Sequence, residues 1–226
     1  MFFMSGGEMR QIIPSLIVAL VVGVLLISVY STGQERITSF IEGMRDPKMA
    51  SYHVVRSFEA IVRGGFFGAG IGRANTKFTG LPVAPTDSIF AVIAEETGIL
   101  GACVIIILFI YFLWRGLIIA RRAPDMLGRL LAAGISVWIF LEAVINMSVL
   151  VNLLPFAGNA LPFISYGGSN LTMVLVGVGI IMSVARQTAI INNDEERRPL
   201  NAVVNLRRND GRRSVSRNRR PSGVER

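Results

Sequence analysis

The sequence predicts an all-α polytopic membrane protein with about four transmembrane helices and a long extracellular loop that carries short amphipathic helices. Three observations carry this. A mean hydropathy of +0.54 and a hydrophobic fraction of 52% exceed what a soluble domain shows. The apolar residues gather into runs of roughly the 20 residues that cross a bilayer core. Glycines fall inside those runs, as in membrane helices that pack closely.

Residues 13–30 form the first run, with Pro14 where a first helical turn tolerates it. Residues 32–87 make the long loop. Within it residues 36–40 are mildly amphipathic. Tyr52, Val55, Phe58 and Val62 repeat at helical spacing, which suits a helix lying on the membrane surface. Residues 64–72 are a glycine-rich turn region. The second span is residues 98–114, extendable to Ala120, and residues 115–129 are a short polar link. The third span is 130–154. The fourth, 171–184, is short unless it borrows neighbours. Between the last two spans lie Pro155, Gly158, Pro162, Gly167 and Gly168. From Asp194 on the chain is polar and Arg-rich, which predicts disorder. The expected division is a membrane domain over 1–189, with its outer loop over about 32–87, and a disordered basic cytoplasmic tail over 190–226.

Charge sets the expected orientation. Four spans put both ends on one side. Arg115, Arg121, Arg122 and Arg129 in the short link, together with the tail, mark that side as cytoplasmic. The two other loops then face outward. The net charge of +8 is concentrated in the tail, where residues 187–226 hold ten arginines against five acids. Because this tail follows a membrane helix, its expected partner is anionic lipid and not nucleic acid.

Several chemistries are excluded. The run Gly65-Phe66-Phe67-Gly68-Ala69-Gly70-Ile71-Gly72 has neither the spacing nor the strand–helix setting of a nucleotide loop. No His/Cys/carboxylate cluster has zinc spacing, so no metal ligands are assigned. The single histidine, His53, reads as a polar-face residue, and nothing supports a Ser–His–Asp triad. Cys103, the lone cysteine, lies in an apolar run.

Three carboxylates remain at the edge of a membrane segment, where desolvation makes idle acids rare: Asp87, Glu95 and Glu96. Asp87 suits a helix N-cap, and equally a general base in a partly dry cleft. Glu95 and Glu96 follow two turns later, Glu95 roughly on the face of Asp87. In the third span Glu142 and Asn146 share a face at i, i+4, where a structural clamp and a substrate contact both stay open.

Taken together, Arg36-Ile37-Thr38-Ser39-Phe40, the glycine run 64–72, Thr86-Asp87-Ser88-Ile89-Phe90-Ala91-Val92-Ile93-Ala94-Glu95-Glu96, Leu154-Pro155-Phe156-Ala157-Gly158 and Leu161-Pro162-Phe163-Ile164-Ser165-Tyr166-Gly167-Gly168-Ser169 resemble the C-terminal half of the SEDS (FtsW/RodA/SpoVE) peptidoglycan polymerases, the FtsW branch most. The resemblance covers about residues 1–189. It implies a glycosyltransferase that polymerises lipid II, an undecaprenyl-diphosphate-linked disaccharide peptide, on the outer face of the bacterial cytoplasmic membrane during division or elongation. Asp87 matches the family's essential aspartate, which would take the proton of the attacking sugar hydroxyl. Arg63, Arg73 and Lys77 are placed to support the departing diphosphate. Glu95, Glu96, Asn146, Ser165, Tyr166, Gly167 and Gly168 are further expected substrate contacts. No cofactor is assigned, although a divalent cation (Mg or Mn) could share the charge. The implied partners are a class B penicillin-binding protein transpeptidase and divisome proteins. The rival readings are a lipid II flippase or transporter and a truncated, non-catalytic scaffold. This sequence departs from the family pattern in four ways. It supplies about four of roughly ten helices, so the N-terminal half is expected to be missing or separately encoded. Ser88 stands where an aromatic is usual, and His53 and Arg56 where glutamine is. Asn152 replaces a common glycine.

Overall fold

The computed structural model describes residues 9–74 and 87–210; Lys77, Thr86 and the tail beyond Asp210 lie outside the described residues. Among the described residues six α-helices follow in order: α1 (Met9–Val29), α2 (Ser31–Arg45), α3 (Tyr52–Gly64), α4 (Ile89–Arg122), α5 (Met126–Leu150) and α6 (Gly168–Asp210). A 3-10 turn, Pro47–Met49, joins α2 to α3, and no strand occurs among the described residues. The chain divides into two units, Met1–Ala185 and Arg186–Arg226. Helix α6 continues to Asp210, into the segment that composition reads as a tail.

Among the described residues three helices are long and apolar enough to cross a bilayer: Ile89–Arg122, Met126–Leu150 and Gly168–Asn193. This is an all-α, multi-pass membrane protein. The run at 13–30 is helical as expected, but it ends at Val29 and meets α2 at 99°, so it counts as a fourth crossing only as a bent pair with α2. The bend has a local cause. Tyr30 leaves helical geometry at φ −96°, ψ 119°. The Gln34 Nε2 then donates to the Ser28 carbonyl at 2.7 Å, satisfying one of the last acceptors of α1. Pro14 sits inside α1, since the helix begins at Met9; membrane helices tolerate such a residue.

The bundle core joins α4, α5, α6 and the loop before α6. Phe90, Ile105, Phe109, Ile139, Ala143, Leu150, Leu161 and Val174 form one buried cluster. Ala120, Ala132, Ala133 and Val184 form a second, at the other end. Small residues let α4 and α5 approach closely there. A Cβ on Gly116 would overlap the Ser136 Oγ, whose hydroxyl donates back to the Ala132 carbonyl at 2.7 Å. Apolar side chains on the other faces, such as Leu108, Leu141 and Leu175, stay exposed. That is expected of surfaces solvated by lipid.

In α3 the buried face is Val54, Ser57, Ala60 and Gly64, while Tyr52, Phe58 and Val62 stay exposed. Arg56 donates to the Tyr52 hydroxyl at 3.3 Å and to Glu59 at 2.9 Å, and these bonds raise its pKa further above the ordinary arginine value. Gly64 abuts the backbone of Ala94 and Glu95, leaving no room for a side chain.

Helix α4 is two helices. Gly98 adopts φ 72°, ψ −169°, so a short helix carrying Glu95 and Glu96 ends there and the long span begins. The glycine-rich loop repairs the break. Ala69 N–H donates to the Glu95 carbonyl at 2.9 Å and Gly70 N–H to Glu96 at 3.1 Å. In the other direction, Ile99 N–H reaches Gly65 O at 2.9 Å and Leu100 N–H reaches Phe66 O at 3.5 Å. Orphaned backbone groups on both sides of the break thus find partners. Gly65, Gly68, Gly70 and Gly72 all have positive φ, and a Cβ on Gly68 would strike the Glu96 carbonyl. Gly98→Ala is expected to lower stability by about 1–3 kcal/mol, because it forces an L side chain into a glycine conformation. The readout is the thermal midpoint in detergent, and an unchanged midpoint would contradict this reading of the break.

Candidate active site

Asp87 lies directly before α4, half-buried. The N-cap of the helix is Ser88, whose carbonyl accepts from Ala91 N–H at 3.0 Å and whose side chain makes no capping bond. Asp87 is therefore not the cap. Ser88 is fully buried. Among the described residues no hydrogen bond or ion pair reaches the Asp87 carboxylate.

The turn is held from α5. Asn146, only 3% exposed, donates from Nδ2 to the Asp87 carbonyl at 2.9 Å. The same amide nitrogen donates to the Asn159 carbonyl in the loop 151–167. One buried side chain thus ties three segments together, and both its donor hydrogens are used. The loop also reaches the carboxylate: Gly158, at φ +60°, is so close that a Cβ there would stand 3.5 Å from Asp87 Oδ2. Asn146 is accordingly a clamp in this chain.

One turn deeper, Asn170 at the start of α6 donates to Glu142 Oε1 at 3.0 Å. Glu142 sits eight residues before the end of α5, about 12 Å along the helix. The loop 151–167 therefore folds back into the bundle before α6 begins. Phe163, in that loop, packs at 6.3 Å from Phe109 and 5.6 Å from Phe112. Ser165 is buried, and its Oγ accepts from Leu161 N–H at 2.6 Å, fixing the Leu161–Ser165 turn. Asn152 adopts φ +56°, in the left-handed region that asparagine and glycine share. An asparagine therefore serves at this position, where glycine is the other residue that fits.

Helices α2 and α3 close the loop from the other side. His53 stacks on Phe156 at 4.7 Å with an interplanar angle of 12°. The Arg36 guanidinium lies 5.7 Å from the same ring. His53 is therefore an aromatic anchor between α3 and the loop, a role its position alone did not suggest.

The other expected residues divide into groups. Glu95 is buried and Glu96 partly exposed on the short helix after Asp87. Arg63 and Arg73 are exposed and in no ion pair among the described residues. Arg63 ends α3 beside the Gly64 contact with Ala94 and Glu95. Arg73 precedes Ala74, which packs with Ile89 and Val92 on the first turns of α4. Both cations therefore border the Asp87 helix. Tyr166 is 83% exposed. Gly167 and Gly168 open α6, the Gly167 carbonyl accepting from Leu171 N–H at 2.9 Å. Asn159 and Asn170 belong to the site without having been singled out. Their only sequence signal is their place in the loop between two spans. Among the described residues no group of three His, Cys, Asp or Glu side chains gathers.

Comparison with known proteins identifies the family. A family model described as "Cell cycle protein" (FtsW/RodA/SpoVE) matches residues 1–190. Stage V sporulation protein E of Bacillus subtilis is 39% identical over 188 residues, covering 82% of this chain and 51% of that protein. A probable peptidoglycan glycosyltransferase FtsW from Geobacter sp. strain M18 is 40% identical over 185 residues, covering 82% and 50%. A chain in a solved structure, "Structural coordination of polymerization and crosslinking by a peptidoglycan synthase complex", superposes with a TM-score of 0.58 at 25% identity, covering 80% of this chain and 50% of that one. The chain spans about half the length of the curated relatives it matches. It belongs to the FtsW/RodA/SpoVE family.

Proposed function

We propose that this chain forms the catalytic C-terminal half of a peptidoglycan glycosyltransferase that polymerises lipid II, with Asp87 as general base. The observation that carries this reading is the Asp87 turn, where a carboxylate without a structural partner among the described residues is held by Asn146 and loop 151–167. In the proposed step Asp87 takes the proton of the acceptor sugar hydroxyl. That oxygen forms a bond to the anomeric carbon of the donor, and the bond to undecaprenyl diphosphate breaks. Arg63, Arg73 and Lys77 offset the charge that develops on the leaving diphosphate. The Asp87 side of the bundle faces outward, because Arg115, Arg121, Arg122 and Arg129 at the opposite end mark the cytoplasmic side. A class B penicillin-binding protein is the fitting partner, since a cross-linking enzyme consumes the strands, and divisome proteins recruit the pair.

The transporter reading draws only on Glu142, the one carboxylate deep in a span, and Glu142 is bonded to Asn170. The test is complementation. The chain is co-expressed with a family member's N-terminal half in a peptidoglycan-making bacterium depleted of its own polymerase. Restored glycan synthesis is expected, and no restoration despite stable membrane insertion of both halves would overturn the proposal. Deleting residues 194–226 is expected to leave polymerisation by the purified assembly unchanged. Loss of polymer after that deletion would show that the tail is more than a tether.

A further inference from the structure

The proposed chemistry leaves the half of α4 beyond Gly98 unused. Along it, Ile105, Leu108, Phe109, Phe112 and Phe163 line an apolar groove of about 390 Å³, with Arg115 in its wall. We infer that this groove holds one acyl chain of an anionic phospholipid whose phosphate sits at Arg115.

Length, depth and charge each support this occupant. From Ile105 to Arg115 the helix rises about 15 Å, one leaflet of a roughly 30 Å hydrocarbon core. Arg115 lies sixteen residues beyond Ile99, about 24 Å along the span. It is exposed, so its stem can run along apolar surface to bring the guanidinium to the far interface. Arg122, also exposed, follows seven residues later on the same face. No carboxylate occurs on α4 after Glu96. The next acid, Asp125, caps α5, accepting from Gly128 N–H at 2.7 Å. The headgroup end of the groove is therefore cationic, which favours an anionic lipid.

The far wall gives occupancy a consequence. Phe163 adopts φ +66°, unusual for an aromatic residue, and belongs to the loop that carries Gly158 and Asn159. A chain packed against Phe163 would hold that loop against the Asp87 turn. This last link rests on the proposed function, whereas the lipid site does not.

The chain holds two tryptophans, Trp114 and Trp138. Trp114 lies 5.9 Å from Tyr111, another groove residue. In a Trp138→Phe background Trp114 reports the groove by its fluorescence. The full chain is reconstituted in phosphatidylcholine vesicles containing a small, equal mole fraction of brominated phosphatidylglycerol or brominated phosphatidylcholine. Brominated phosphatidylglycerol is expected to act as if enriched roughly fivefold at Trp114, the equivalent of ~1 kcal/mol from one arginine near an anionic headgroup. Arg115→Gln should bring this down towards the phosphatidylcholine value, while quenching by brominated phosphatidylcholine itself stays constant and reports an intact fold. Equal quenching by the two lipids in the Arg115 protein would overturn the proposal and leave the groove to an apolar helix of another chain. An undiminished preference in Arg115→Gln would overturn it as well.

Discussion

Asp87→Asn is expected to reduce the turnover of lipid II by about 10²–10⁴-fold, the contribution of a positioned general base. Asparagine keeps the size and shape of the side chain and removes its basicity. The fold does not lean on the carboxylate, since among the described residues nothing is bonded to it. The Asp87 carbonyl, which Asn146 does hold, is untouched by the substitution. Membrane insertion, thermal midpoint and lipid II binding should therefore match wild type, and the loss should appear in kcat. Asp87→Glu tests geometry instead. Its extra methylene moves the carboxylate away from the position it holds beside Gly158. Partial activity is expected. Normal turnover in Asp87→Asn would remove the general-base assignment, and a loss of lipid II binding with kcat kept would recast Asp87 as a binding residue.

Asn146→Leu is expected to damage both stability and turnover. Leucine fills a similar volume but donates no hydrogen bond, so the carbonyls of Asp87 and Asn159 lose their shared partner. Each buried carbonyl left unpaired costs about 1–3 kcal/mol. The Asp87 turn and loop 151–167 would then be free to separate. The checks are a lowered thermal midpoint in detergent and a fall in kcat larger than any change in KM. Asn146→Ser, which keeps one donor, should fall between Asn146→Leu and wild type. Wild-type stability and turnover in Asn146→Leu would show that the three-segment tie is not what holds the site.

Much of this was legible in the chain itself. The membrane class followed from hydropathy, and Asp87 stood out because a carboxylate at a span's edge is expensive to desolvate. The i, i+4 pair Glu142 and Asn146 marked the inner face of α5, although their partners Asn170 and Asn159 could not be read from spacing. Those pairings depend on how far loop 151–167 folds back into the bundle, a tertiary property. The bend after α1 was hidden because residues 13–30 form an apolar run of near-spanning length; only Tyr30 and the capping of Ser28 by Gln34 end it. The Gly98 break was also hidden. A lone glycine in an apolar run is ordinary in membrane helices, and its meaning comes from the backbone bonds that residues 65–70 make across it. His53 looked like a polar-face residue until the loop brought Phe156 beneath it.

The most direct test of the central claim is lipid II polymerisation in liposomes by this chain assembled with a family N-terminal half and a class B penicillin-binding protein. The account predicts glycan polymer with release of undecaprenyl diphosphate, which is absent when the chain carries Asp87→Asn. A correctly inserted assembly that moves lipid II between leaflets but makes no polymer would contradict it.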